Sequence, residues 1–120
     1  FITIHLNAAA EYNSNPSGCE TWIYDKAKLP TQLLARDVQV AMVNILKCKD
    51  RGVRTSSEFT TLKRTKMPAI CVEPAFMTNV AESKRMVTKE WTFMVARAIF
   101  SGIVSWFNEM ESKSDAQRSE

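Results

Sequence analysis

Pro68-Ala69-Ile70-Cys71-Val72-Glu73-Pro74 is a short apolar run closed by a proline at each end. It is too short for a helix, and its unbroken apolar character marks a strand covered on both faces. Such a strand needs layers above and below it, and the surrounding chain supplies them. Phe1 to Asn7 alternates Ile2, Ile4 and Leu6 against Thr3, His5 and Asn7, the period of a strand with one buried face, and Cys19 to Tyr24 is rich in β-formers. Behind Pro30 and a Thr31 cap, Leu34, Val38, Ala41, Met42, Ile45 and Leu46 recur at helical spacing. A second helix, capped by Thr88, carries Trp91, Met94, Val95, Ala98, Ile99, Gly102, Ile103 and Trp106 along one face for about five turns, a face expected to lie on a sheet. Strands alternating with helices around a doubly buried strand define an α/β layered fold, with a mostly parallel or mixed sheet and helices on both faces.

The segments between these elements carry weaker signals. Residues 8–18 hold a cluster of turn formers and read as a surface loop, as do residues 49–57 around Gly52. Phe59 to Arg64 reads as a short strand, and Asn79 followed by Glu82 has the spacing of a capping box opening a helix to about Met86. Residues 111–120 contain almost nothing apolar and are expected to form a disordered tail or linker, leaving residues 1–110 as one domain.

The chain has 120 residues, 45% hydrophobic and 24% charged, with a net charge of +3, enough for one domain with its own core and not for two. No apolar run approaches about eighteen residues, so no membrane span is expected. Three cysteines without a C-x-x-C spacing argue against a disulfide framework or a thiolate zinc ribbon, and Cys71 is assigned to the core. Lys and Arg at 47, 49, 51, 54, 63, 64 and 66 form a basic patch, but no helix-turn-helix or RNA-recognition signature accompanies it, and no nucleic-acid partner is expected.

Two polar residues stand out chemically. His5 is the only histidine, and Glu73 is an acid embedded in an apolar strand. Both fall at C-terminal strand ends, where ligands gather in open α/β sheets, so they can converge although distant in sequence. Burial would raise the pKa of Glu73 toward the range of a general base. The competing readings are a surface histidine and a structural salt bridge from Glu73 to Arg64 or Lys66.

Ile2-Thr-Ile-His-Leu-Asn-Ala-Ala9 resembles the Ser-Ile-His-Ala-Asn-Ala strand end of the zinc-dependent N-acetylmuramoyl-L-alanine amidases, the peptidoglycan hydrolases of bacterial cell walls and phage lysis. Further likenesses follow in the same order. Gly18-Cys-Glu-Thr-Trp-Ile-Tyr24 is similar to Gly-x-Glu-x-Tyr-Tyr, Arg51-Gly-Val-Arg54 to Arg-Gly-Val-Lys, and Leu62-Lys-Arg-Thr-Lys-Met-Pro-Ala69 to Leu-Arg-x-Thr-x-x-Pro-Ala. Val72-Glu-Pro-Ala-Phe-Met-Thr-Asn79 parallels Val-Glu-x-Gly-Phe-x-Ser-Asn. The resemblance implies that His5 ligates Zn²⁺ and that Glu73 is the catalytic acid/base, with Asn7 and Arg64, inside the same matched segments, contacting substrate. It implies cleavage of the amide between N-acetylmuramic acid and L-alanine by zinc-activated water. The setting would be the bacterial envelope, periplasmic or extracellular, or the host cytoplasm before lysis for a phage endolysin.

The chain departs from that pattern in three places. Ala75 stands where the family has Gly, which would strain a positive-φ turn, and Leu6 replaces a small residue beside His5. The Asp-Pro-Gly-His-Gly strand and a further Glu ligand are absent, and the chain opens on Phe1. The expectation is therefore a domain lacking the family's N-terminal strand, helix and ligands, binding zinc weakly and hydrolysing little alone. The alternative is a non-catalytic amidase-like module that binds muropeptide or regulates a partner.

Overall fold

Strands β1 (Ile2–Ile4), β2 (Cys19–Tyr24), β3 (Asp50–Ser56) and β4 (Ile70–Glu73) form one sheet in the order β1-β4-β2-β3. This is a computed structural model, and it describes residues 1–10 and 15–118. β1 runs parallel to β4 and β2 parallel to β3, while β2 and β4 are antiparallel, so the sheet is mixed. β4 lies inside it with Ile70, Cys71 and Val72 completely buried, as an apolar run between prolines requires.

Alternation along the strands divides the core. Cys19, Ile23, Ile70 and Val72 face helices α1 (Leu29–Leu46) and α4 (Lys89–Arg118), which contribute Leu34, Val38, Met42, Val95, Ala98 and Ile99. On the other face Trp22, Tyr24 and Cys71 meet Phe59 and Leu62, the latter from the short helix α2 (Thr60–Arg64). The amphipathic face of α4 is formed as its spacing predicts, and the Thr88 hydroxyl caps it by accepting from the Trp91 N–H at 3.2 Å. Its closest neighbour is α1 rather than the sheet. The two helices meet at Gly102, where an added Cβ would stand 2.5 Å from the Val38 Cα.

Several expectations are corrected. α1 starts at Leu29 with Lys28 in the capping position, because Pro30 pre-sets the first turn and leaves Thr31 inside it. The expected loop after Gly52 is β3, and Phe59–Arg64 is not a strand but leads into helix α2. Only Ile2 of the expected aliphatic stripe packs on the core; Ile4 and Leu6 are 55% and 40% exposed because β1 is a sheet edge. Residues 111–118 are helical, continuing α4, rather than a disordered tail. The readings at residues 11–14 and 119–120 lie outside the described residues.

The capping box forms in part. Asn79 caps α3 (Val80–Met86) through the Ala81 and Glu82 N–H groups, while the Glu82 carboxylate accepts from Gly18 N–H at 2.8 Å and Phe76 N–H at 2.7 Å. Glu82 thereby ties the entry of β2 to the turn after Glu73. That turn accommodates Ala75 without a positive φ, since Lys47 is the only non-glycine residue with one among those described.

Candidate active site

Because β1 and β4 are parallel and adjacent, their C-terminal ends coincide, and the His5 N–H donates to the Val72 carbonyl at 2.9 Å. His5, Cys71 and Glu73 then fall on the sheet face away from α1 and α4. The ligating atoms of His5, Cys71 and Glu73 lie within 4.8 Å of one another, with His5 exposed, Glu73 half-buried and Cys71 buried. Sixty-eight residues of separation collapse into one site because the strand order places the first strand against the last.

β2 brings the third component. Antiparallel pairing sets Glu20 directly opposite Glu73. The Trp22 indole N–H, two residues on and thus on the same face, is shared between Glu20 Oε1 at 2.9 Å and Glu73 Oε2 at 3.0 Å. The buried Glu20 also accepts from Asn7 Nδ2 at 2.8 Å and pairs with Arg51 Nε at 2.7 Å. Arg54 stands 3.8 Å away from the same carboxylate. The two arginines are seated on aromatic rings, Arg51 on Phe76 at 4.7 Å and Arg54 on Trp22 at 5.4 Å.

The electrostatics follow from this arrangement. Burial opposes ionisation of Glu20, but the bonds from Arg51 and Trp22 outweigh it and hold the carboxyl below its usual range. Among the described residues Glu73 makes no ion pair with an arginine, Arg51 being bound to Glu20. Burial first, and then the neighbouring Glu20, push its carboxyl up to about 7. Burial, with Glu73 nearby, also raises the Cys71 thiol to about 11, so Cys71 remains a neutral core side chain near neutral pH. The donor chemistry of the cluster suits a divalent zinc ion: an exposed imidazole beside a carboxyl group, both reachable from the open side of the sheet.

The sequence-derived candidates thus divide. His5, Glu73 and Asn7 come together, with Asn7 held by Glu20. Arg64 ends α2 as an exposed side chain and, among the described residues, makes no ion pair with this cluster. The salt bridge from Glu73 to Arg64 or Lys66 is not formed; Arg51 pairs with Glu20 instead. Glu20, Trp22 and Arg51 received no role from the sequence. The signal that singled out Glu73, an acid within a run of β-formers, applies equally to Glu20.

A family model described as N-acetylmuramoyl-L-alanine amidase matches residues 1–105. The chain belongs to that family. Among curated proteins it is similar to the amidase LytC of Bacillus subtilis strain 168, 35% identical over 109 residues, covering 89% of this chain and 21% of LytC. An uncharacterized cell wall amidase of Bacillus anthracis is 32% identical over 117 residues, again 89% of this chain and 21% of that protein. Among solved structures, the N-acetylmuramoyl-L-alanine amidase of Clostridium difficile 630 superposes with a TM-score of 0.83 at 33% identity, covering 89% of this chain and 56% of that one. The chain therefore spans about a fifth of the length of these two curated relatives (21%) and about half of the solved one (56%).

Proposed function

We propose that these residues form part of a peptidoglycan hydrolase that cleaves the amide between N-acetylmuramic acid and L-alanine, acting in the cell envelope. The observation that supports this best is the convergence of His5 and Glu73, from separate strands, with their ligating atoms within 4.8 Å. His5 would hold Zn²⁺ through a ring nitrogen. When bound, zinc supplies a Lewis acid for the amide carbonyl and lowers the pKa of water.

The chain's own residues account for proton handling. With a carboxyl near 7, Glu73 exchanges its proton readily at neutral pH, so it can take one from the attacking water and return it to the leaving L-alanine nitrogen. Trp22 fixes one Glu73 oxygen by its indole N–H, and the Arg51–Glu20 pair keeps the neighbouring carboxylate ionised. Asn7 and Arg64 are assigned to substrate contact, Arg64 as an exposed guanidinium able to meet a carboxylate.

Catalytic zinc sites use about three protein ligands. The family's Asp-Pro-Gly-His-Gly motif is not among these 120 residues, and His5 is their only histidine. Zinc binding by the chain alone is therefore weak and its turnover small. The test is a chimera in which residues 1–105 replace the matching segment of LytC, assayed on purified cell walls with and without EDTA. EDTA-sensitive release of stem peptides is expected, with Glu73→Gln and His5→Ala each reducing the rate by at least about 100-fold. A folded chimera that binds muropeptide without cleaving it would favour the binding-module alternative. Tight one-to-one zinc binding by the 120-residue chain in a calorimeter would overturn the weak-binding claim.

A further inference from the structure

Cys19 and Cys48 lie on the other side of the sheet from Cys71 and take no part in the site described above. Cys19 is the first residue of β2 and completely buried; Cys48 follows α1 and is half-buried. Their sulfurs are 2.9 Å apart. The backbone around the pair is already fixed. Cys19 N–H donates to the Lys49 carbonyl at 3.0 Å, the Cys19 carbonyl accepts from Gln39 Nε2 at 3.0 Å, and Lys47 in a left-handed conformation turns the chain back toward β2. Cys71 packs with Leu62 on the opposite face, so it cannot compete for either partner.

We propose that Cys19 and Cys48 form a disulfide that staples the start of β2 to the end of α1, made by exchange with a small-molecule disulfide or a dithiol oxidase in its disulfide form. The odd cysteine count then resolves into one bridge and one core thiol. The half-buried Cys48 is the attacking group, its thiol lowered by the bond to Cys19, whereas that same bond, with burial, raises Cys19. The Cys48 thiolate attacks one sulfur of the oxidant, breaking its S–S bond and releasing one thiolate, which is protonated. Cys19 then gives up its proton and attacks the Cys48 sulfur of the mixed disulfide, releasing the second thiol. Two protein thiols are oxidised and one oxidant disulfide is reduced to two thiols. The bridge closes a loop containing β2 and α1, and it anchors the residue next to Glu20.

The test uses the 120-residue chain equilibrated with excess glutathione disulfide, then alkylated after denaturation and digested with trypsin. The expected products are a peptide of residues 1–26 joined to Cys48-Lys49, with only Cys71 alkylated. The oxidised chain is expected to melt roughly 10 °C above the reduced one, a difference that Cys48→Ser abolishes and Cys71→Ser retains. Three alkylated cysteines, a stable glutathione adduct at Cys48, a bridge that includes Cys71, or equal melting of the oxidised and reduced chains would each overturn the proposal.

Discussion

Two carboxyl groups facing one indole N–H do not ionise independently, and here the position of Arg51 selects which one carries the charge. Glu20 takes the guanidinium and Glu73 is left protonated up to about 7. Replacing Glu20 by Gln removes the neighbouring negative charge, so the Glu73 titration measured by carboxyl ¹³C NMR in zinc-free buffer is expected to move down toward the ordinary range. The same change breaks a buried pair and is expected to cost about 1–3 kcal/mol in urea unfolding. The pH dependence of stability has a definite sign. Glu73 has a folded value of about 7 against an ordinary 4.5, so its stabilising contribution is complete below the unfolded value and is lost as pH rises through about 7. Glu20, held low, contributes in the opposite sense and loses its contribution on acidification. In zinc-free buffer the urea midpoint of the wild type should therefore fall, relative to Glu73→Gln, between about pH 5 and about pH 8. A difference that stays flat would mean that Glu73 ionises normally. His5 and Glu73 were legible as candidates because one is the only histidine of the sequence and the other an acid inside an apolar run. Glu20 carries the same local signal, but its place opposite Glu73 depends on antiparallel register, which no local pattern encodes.

The two long helices, which bury a full face, announced themselves, whereas α2 and β3, which bury little, did not. α1 and α4 repeat their apolar residues over several turns, which no other structure satisfies. α2 buries only Leu62, too little for any period to show. β3 lies at a sheet edge with every residue exposed or half-buried, so its alternation is faint and Gly52 masked it as a turn. The contact between α1 and α4 was partly legible: Gly102 lies on the predicted apolar face, but that it faces Val38 rather than a strand depends on how the layers stack. Gly102→Ala places a methyl group 2.5 Å from the Val38 Cα, and backbone cannot yield as a side-chain tip does. The cost is expected to be about 1–3 kcal/mol, read as a lower urea midpoint, despite the better helix propensity of alanine. An unchanged midpoint would show that the helices separate freely.

The molecule extends 56 Å along its longest axis, and α4, at 30 residues, is its longest element. Composition alone made residues 111–118 look disordered because a polar segment cannot nucleate a helix in isolation. Here nucleation has already occurred. The packed part of α4 supplies the preceding turns, so each following residue adds one hydrogen bond without forming a new nucleus, and Glu, Lys, Ala, Gln and Arg favour that continuation. Every side chain of residues 111–118 is exposed. Glu109 binds both Arg36 on α1 and Lys113, so α4 is tied to the body just before the extension begins. Ending the chain after Met110 removes Lys113 but keeps Arg36–Glu109, and stability is expected to change by no more than about 0.5 kcal/mol. Far-UV circular dichroism should lose helical signal in proportion to the residues removed, while the urea midpoint stays in place. A drop of about 2 kcal/mol or more would instead mean that the extension packs on the body and belongs to the fold.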